Sequence, residues 1–125
     1  MIFRKTTLLC CLVICSTSFT PEKSGVRIFF QNDTGQDFKK LKVDIRGTEF
    51  FFENLRQGTE TEMIKVPESY QICYAQAITD TDTLVCQPID FVGAKLYRNG
   101  TLLMKLSLFP GEKKYMWIKS EILGR

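Results

Sequence analysis

Apolar and polar side chains alternate along most of the chain beyond residue 25, and this two-residue period is the strongest constraint on its fold. Val26, Ile28 and Phe30 begin the pattern, and the turn-forming residues 32–35 interrupt it. Similar runs recur about every eight to twelve residues, and no window has the 3.6-residue period of a helix. Seven or eight short strands in roughly 100 residues predict an all-β protein. We expect an antiparallel β-sandwich of immunoglobulin-like outline, with a small β-barrel as the alternative.

The sequence predicts the register of a hairpin at residues 40–53, because one register gives compatible cross-strand pairs on both faces of the hairpin. A two-residue turn at Arg46-Gly47 places Lys40 opposite Glu53, an opposite-charge cross-strand pair. On the other face the same register pairs Leu41 with Phe52, Val43 with Phe50, and Ile45 with Thr48. We therefore expect two antiparallel strands joined by this turn.

Turn-forming residues predict the remaining strands. Residues 79–82 separate a strand at 70–78 from one at 83–89, and Pro67 closes a strand at 59–66. Asn99-Gly100 is typical of a type I′ hairpin turn, because both residues tolerate a positive φ. Pro110-Gly111 fits the centre of a type II turn, and the last strand is expected at 115–119. The strand after Gly100 should present on one face Leu102, Met104, Leu106 and Leu108.

The first residues have the three-part composition of a secretory signal. Arg4 and Lys5 are basic, residues 8–14 are apolar, and residues 16–18 are small. The apolar run is shorter than the roughly 20 residues that cross a bilayer. Residues 12–15 resemble the lipobox of bacterial lipoproteins, which ends in a cysteine that becomes acylated. These features predict an exported protein.

The expected boundaries follow from that signal. We predict a signal peptide at 1–14, lipidation of Cys15, a flexible tether at 15–25, and a single domain at 26–125. Ordinary cleavage after residue 18 is the alternative. The predicted location is the bacterial cell envelope, with the protein lipid-anchored on the periplasmic side, because no acidic residue directly follows Cys15. A secreted soluble protein is the alternative.

Two cysteines lie in the predicted domain, Cys73 and Cys86, and exported proteins meet oxidising conditions. If the hairpin turns at Thr79-Asp80, the two cysteines are directly opposite and can form a disulfide. If it turns at Asp80-Thr81, they are diagonal neighbours roughly 7–8 Å apart, too far for a bond without a bulge. We favour the disulfide, and buried free thiols are the alternative.

The charge of the chain is nearly balanced, with 17 basic and 14 acidic residues, which gives no reason to expect nucleic-acid binding. The bases are concentrated beyond residue 91, and we favour a mixed surface in which neighbouring strands have complementary charge. The alternative is a basic edge that faces anionic lipid headgroups. This edge would consist of Lys95, Arg98, Lys105, Lys113 and Lys114.

Aromatic residues near the end of the chain offer a second binding surface. Tyr115 and Trp117 share one face of the last predicted strand, and Tyr97 lies nearby in sequence. Exposed rings there would stack on sugars or contact a partner protein. The alternative, which we favour, turns Met116 and Ile118 outward and buries Tyr115 and Trp117 in the core.

Few residues of the chain support catalysis. It contains no histidine, which removes the commonest general base and metal ligand. It also lacks a GxSxG elbow and a glycine-rich phosphate loop. We therefore expect no enzyme activity, no cofactor and no metal. The alternatives are an enzyme inhibitor that inserts the loop 79–82, and a small hydrolase. The hydrolase would use carboxylates among Glu49, Glu53, Glu60 and Glu62.

One covalent modification is also predicted within the domain. Asp82-Thr83-Leu84 matches the Asp-Thr-aliphatic acceptor of a bacterial periplasmic O-glycosylation system. Thr83 is therefore a candidate for O-glycosylation if the protein is exported.

Three motifs resemble a pattern in small, uncharacterised β-sandwich lipoproteins of Gram-negative bacteria. They are Phe30-x-Asn32-x-Thr34-Gly35-x-x-Phe38, Phe52-x-Asn54-Leu55-x-x-Gly58 and Gln87-Pro88-Ile89-Asp90-Phe91-Val92-Gly93. The resemblance spans nearly the whole predicted domain. It implies an envelope location and a β-sandwich, and it implies no catalytic residue.

These observations predict a non-enzymatic envelope lipoprotein that acts by binding. Its expected partners are the membrane, through the lipid anchor, and a protein or glycan ligand bound by a monomer. Nucleic acid is not an expected partner.

Overall fold

The computed structural model describes residues 24–89, 91 and 93–124, and these form eight β-strands. The predicted signal peptide, the predicted lipidation site Cys15 and all but the last residues of the predicted tether lie outside this part of the chain. The strands are, in order, β1 (Gly25–Asn32), β2 (Phe38–Ile45), β3 (Thr48–Leu55), β4 (Ile64–Val66), β5 (Tyr74–Ile78), β6 (Thr83–Cys86), β7 (Asn99–Leu108) and β8 (Met116–Leu123).

The strands form two four-stranded sheets that pack face to face. One sheet has the order β4-β1-β7-β8 and the other has the order β3-β2-β5-β6. Neighbouring strands are antiparallel except β1 and β7, which run parallel to each other. The prediction of a β-sandwich is confirmed, and the two sheets do not close into a barrel. No helix in the described residues is long and apolar enough to cross a membrane.

The core lies between the two sheets and is filled by their inward side chains. Val26, Ile28 and Phe30 of β1 are buried, as the alternation predicts, and Leu102 and Met104 of β7 lie beside them. Because burial of apolar surface is the main favourable term in folding, this shared layer holds the sheets together. The second sheet contributes Phe38, Leu41, Val43, Ile45, Leu55, Ala75, Ala77, Leu84 and Cys86.

The register predicted for the β2–β3 hairpin is confirmed. Lys40 faces Glu53 and Val43 faces Phe50, as the sequence indicates. Arg46 and Gly47 both have positive φ, 51° and 96°, as a two-residue type I′ turn requires.

The inward positions of β3 depart once from the two-residue period, which simple alternation does not predict. Phe52 packs against the core and Leu55 is buried, although they are three residues apart. Between them, Asn54 has a φ of 55°, a left-handed conformation that asparagine tolerates better than most residues. This residue turns Leu55 back toward the interior, where its partner Phe38 is also buried.

The predicted hairpin turn at Asn99-Gly100 is wrong. These two residues begin β7 and lie beside Gly25 and Val26 in the parallel ladder with β1. The positive φ of Gly100, 99°, occurs at the start of the strand, before the run of inward residues. By contrast, the Pro110-Gly111 turn is confirmed. Gly111 has a φ of 82°, and the connection between β7 and β8 reverses there.

Several predicted strand lengths are corrected. The strand expected at 59–66 is reduced to Ile64–Val66, with Glu60 making an isolated bridge to Gln31. β5 and β6 are shorter than the predicted 70–78 and 83–89, whereas β8 extends past residue 119. Residues 67–73 and 87–98 instead connect the two sheets, and their backbones pair at Ser69 and Tyr97.

Asn32 ends β1 and holds the connection to β2 from inside the protein, where its side chain is fully buried. Its Nδ2 donates to the carbonyl oxygens of Gln36 at 2.7 Å and of Leu55 at 3.1 Å. Its Oδ1 accepts from the backbone N–H of Thr34 at 3.1 Å and from the Thr34 hydroxyl at 2.8 Å. Both donor hydrogens and both acceptor positions of the amide therefore have partners.

The sandwich has two ends, which we name by their distance from residue 24. The proximal end holds the starts of β1 and β7 and the turn between β2 and β3. The distal end holds the β1–β2, β5–β6 and β7–β8 connections. Glu68 meets Arg46 at 3.5 Å and Arg98 at 3.3 Å, so elements of both sheets come together at the proximal end.

Candidate binding groove

Tyr115 and Trp117 point toward solvent, so the favoured prediction that they are buried is wrong. Ile118 lies opposite Leu106 of β7, and directly paired residues share a face of the sheet. Because Leu106 faces the core, Ile118 and Met116 face it too. Tyr115 is 59% exposed and Trp117 is 43% exposed. The exposed aromatic face considered as the alternative is therefore the one that forms.

An apolar groove lies between β6 and β8, with a cavity volume of about 450 Å³. Phe109 and Trp117 form one wall, and their rings meet edge to face with centroids 5.8 Å apart. The groove is lined by the apolar side chains of Val85, Pro88, Met116 and Ile118 and by the polar side chains of Gln87 and Glu112.

The two sheets touch where the groove meets the β7–β8 connection. The Val85 N–H donates to the carbonyl oxygen of Lys114 at 2.9 Å, and Val85 forms an isolated parallel bridge with Tyr115. This contact fixes the positions of β6 and β8 relative to each other. The groove is therefore formed by two strands whose spacing is set by a backbone hydrogen bond.

The outer edge of β8 beyond this bridge has no strand partner among the described residues, although the Ser120 hydroxyl donates to the carbonyl oxygen of Gln71 beside it. The Phe109 N–H donates to the carbonyl oxygen of Tyr115 at 2.8 Å, so Phe109 and Tyr115 form a hydrogen-bonded pair. In an antiparallel ladder such pairs alternate with non-hydrogen-bonded pairs, so every second residue of β8 after Tyr115 is hydrogen-bonded to β7. The backbone groups of Ile118, Ser120 and Ile122 therefore point away from β7. No strand among the described residues pairs with this edge of β8.

A second cavity of about 440 Å³ adjoins the groove on the proximal side. Tyr70 and Phe91 stack there with ring centroids 4.6 Å apart, and the Arg46 guanidinium lies 5.6 Å from the Tyr70 centroid. Gln87 and Pro88, which begin the third resemblance motif, line both cavities. The sequence did not indicate this cavity, because residues 87–89 were predicted to continue the strand 83–89, whereas β6 ends at Cys86.

The basic edge considered as the alternative does not form as a single surface. Lys95 and Arg98 precede β7 at the proximal end, whereas Lys113 and Lys114 follow β7 at the distal end. The 10 residues of β7 separate the two pairs by roughly 33 Å. Charge clustered along the sequence is therefore divided between opposite ends of the sandwich.

Lys105 lies away from both pairs, whereas Tyr97 lies beside Lys95. Lys105 lies within β7 and its Nζ is 2.7 Å from a carboxylate oxygen of Glu121, a hydrogen bond that raises the pKa of Lys105. Tyr97 is partly buried at the proximal end, with the Nζ of Lys95 4.8 Å from its ring centroid. Neither residue lines the groove beside Trp117.

Cys73 and Cys86 are free thiols, so the predicted disulfide is wrong. The β5–β6 ladder pairs Ala75 with Cys86, which corresponds to a turn at Asp80-Thr81. In this register the two cysteines are diagonal neighbours, too far apart for a bond without a bulge. Burial raises the pKa of Cys73, and burial also raises the pKa of Cys86 to about 11.

Both thiols are expected to react slowly with iodoacetamide while the protein is folded. The thiolate is the reactive form, and the raised pKa values leave little thiolate at mildly alkaline pH. Peptide mapping should find adducts on Cys73 and Cys86 only after denaturation. Cys15 provides a comparison within the same chain when its sulfur is not acylated. Rapid modification of Cys73 or Cys86 in the folded protein would contradict this placement.

The loop 79–82 is braced by a threonine side chain. Thr79 Oγ1 accepts from the backbone N–H of Asp82 at 2.9 Å and from that of Thr81 at 3.3 Å. The loop considered for an inhibitor therefore has support that is independent of a disulfide. Thr83 follows as the exposed first residue of β6, and its O-glycosylation stays a prediction.

The carboxylates considered for hydrolysis are all exposed. Glu53, Glu60 and Glu62 line a depression of about 320 Å³, whereas Glu49 lies 3.8 Å from Lys42 on another part of the sheet. Within the part of the chain that the structure describes, no three His, Cys, Asp or Glu side chains gather into a group that could hold a metal.

Comparison with protein-family models finds no match, and comparison with curated protein sequences finds none either. Among solved structures, the chain is similar to an NMR structure of a protein from Eubacterium rectale, with a TM-score of 0.55 and 13% sequence identity. The similarity covers 80% of this chain and 91% of that one. At this identity it shows that the two proteins share a fold, which agrees with the β-sandwich described above.

Proposed function

We propose that the protein is a non-enzymatic binding module whose ligand is an extended segment of a partner protein, held in the groove between β6 and β8. The observation that carries the proposal is the position of the exposed Trp117 and Tyr115 beside an apolar groove and an open strand edge. Tryptophan and tyrosine supply much of the energy of protein interfaces. An open strand edge supplies backbone donors and acceptors for an added strand.

The chemistry of the groove favours a peptide over a glycan. A sugar needs several polar partners in addition to an aromatic platform, and Gln87 and Glu112 are the polar side chains that line this groove. A peptide strand with apolar side chains at alternate positions places those side chains on one face. Its backbone would pair with Ile118, Ser120 and Ile122 while that face packs against the groove.

We further propose that this module belongs to the cell envelope and is anchored through acylated Cys15. The support is the order of basic, apolar and small residues over positions 4–18 and the lipobox resemblance at 12–15. Intact-mass measurement of envelope-extracted protein tests this. We expect a chain that begins at residue 15 and carries added acyl groups. A lipid-free chain that begins at residue 19 would contradict the anchor and leave the groove proposal standing.

Peptide binding is tested by selecting short peptides of alternating pattern against the full chain and titrating the strongest binder against variants. Trp117→Ala is expected to weaken binding by about 30-fold, since a central interface tryptophan typically contributes about 2 kcal/mol or more. Phe51→Ala is the matched control, because Phe51 is also an exposed aromatic residue but lies on the other sheet. This variant should bind within about twofold of the unmodified chain.

The position of the bound peptide is checked by amide chemical shifts. A peptide that pairs with the open edge must shift the amide resonances of Ile118, Ser120 and Ile122. Equal weakening by Trp117→Ala and Phe51→Ala would contradict the groove as the binding site. Binding of glycans, with no peptide bound, would contradict a protein ligand and favour stacking of sugars on Trp117 and Tyr115.

A further inference from the structure

Charge is divided unevenly between the two ends of the sandwich. At the proximal end, five bases face three acids: Arg27, Arg46, Lys65, Lys95 and Arg98 against Asp44, Glu49 and Glu68. At the distal end, four bases face six acids: Lys39, Arg56, Lys113 and Lys114 against Asp33, Asp37, Glu60, Asp80, Asp82 and Glu112. The end at which the chain enters the domain is therefore basic, and the opposite end is acidic.

The basic end contains a depression next to the point where the chain enters. This depression has a volume of about 510 Å³, and the residues that line it include Ser24, Lys65 and Arg98. Glu68 also lines it and lies within ion-pair distance of both Arg46 and Arg98. Because one carboxylate meets two guanidinium groups, positive charge remains in excess around the depression.

We propose that this proximal surface binds the anionic headgroups of a phospholipid bilayer. Lysine and arginine are the side chains that bind phosphate, and arginine can do so through two parallel hydrogen bonds. Only residues 16–23 separate the proposed anchor at Cys15 from Ser24, so this attachment brings the proximal end of the sandwich to the lipid surface. The inference rests on the envelope attachment proposed above and is independent of the ligand in the groove.

This orientation places the candidate binding groove away from the membrane. β8 runs from Leu123 at the proximal end to Met116 at the distal end, and its 8 residues span roughly 26 Å. Trp117 and Tyr115 lie at the far end of that span. A bilayer bound at the proximal end therefore leaves both aromatic rings open to a partner protein.

The proposal is tested by flotation of the full chain with two kinds of vesicle, one of phosphatidylcholine and one an equimolar mixture with phosphatidylglycerol. The measured quantity is the partition coefficient for the anionic vesicles divided by that for the neutral vesicles. The apolar residues 8–14 contribute to both coefficients, so their contribution cancels in this ratio when variants are compared. Lys65→Gln/Arg98→Gln is expected to lower this ratio roughly 30-fold, about fivefold per basic residue. Lys113→Gln/Lys114→Gln removes the same charge from the distal end and should change the ratio by less than about twofold.

Three results would overturn the proposal. Equal loss in the two double variants would mean that the attraction depends on total charge and not on the proximal surface. A ratio near one for the unmodified chain would exclude a preference for anionic lipid. If inorganic phosphate shifted the resonances around Lys65 and Arg98 while the ratio stayed near one, the surface would take free phosphate and not a headgroup. Thermal unfolding checks both variants, and Lys65→Gln/Lys95→Gln replaces the first if it fails to fold.

Discussion

Replacing Asn32 with alanine is expected to lower the free energy of unfolding by about 3 kcal/mol. The substitution removes an amide that is fully buried and bonds to Thr34, Gln36 and Leu55. Each buried polar group left without a partner costs about 1–3 kcal/mol. The substitution leaves several such groups, namely the carbonyl oxygens of Gln36 and Leu55 and the N–H of Thr34, so their costs add. Urea denaturation monitored by far-UV circular dichroism measures the change.

Asp33→Ala is the matched control for this prediction. Asp33 is the next residue in the same connection, but its side chain is exposed. Its substitution should change the free energy of unfolding by about 0.5 kcal/mol or less. If Asn32→Ala cost no more than Asp33→Ala, the buried amide would not be what holds the connection between the two sheets.

The second large effect is expected at Phe30, for which alanine should cost about 3–5 kcal/mol. Phe30 is fully buried between the sheets, and its ring lies 5.9 Å from that of Phe52. Phe51→Ala should cost about 0.5 kcal/mol or less, because the Phe51 side chain is 67% exposed. Denaturation of the two variants compares phenylalanines that differ mainly in the face of the strand they occupy. Similar losses would contradict the facing of β1 and β3.

The parts of the fold that the sequence predicted correctly depend on agreement between neighbouring residues. The β2–β3 hairpin is the best example, because Lys40 and Glu53 agree on one face with Val43 and Phe50 on the other. The turn at Arg46-Gly47 then leaves one register. The alternation in β1 was sufficient for the same reason, since the polar residues Arg27 and Gln31 mark its outward face.

The errors arise where the deciding contact is far away in sequence. Asn99-Gly100 has the composition of a hairpin turn, but its neighbour in the fold is Gly25, on a strand more than seventy positions earlier in the printed sequence. Alternation along a single strand carries no information about a parallel partner. The basic residues around β7 were misplaced because a run of charge along the chain does not show which end of the sandwich each residue reaches.

The candidate binding groove depends on one such ambiguous element, β8. Its first residues are nearly all apolar, so either face could be inward, and the choice depends on pairing with Leu106 of β7. The sequence supplied the aromatic residues Tyr115 and Trp117 but not their exposure. The disulfide prediction was wrong for a related reason, because a shift of the turn by one residue changes Cys73 and Cys86 from opposite to diagonal neighbours.

Fluorescence of Trp117 tests the central claim most directly, because it is the single tryptophan of the chain. With Trp117 on the outer face of β8 and 43% exposed, we expect emission that acrylamide quenches readily in the folded protein and that shifts only modestly to longer wavelength on unfolding. Short-wavelength emission, protected from acrylamide until the protein is denatured, would place the ring in the core. In that case β8 would have the opposite facing, and the groove between β6 and β8 would not exist as described.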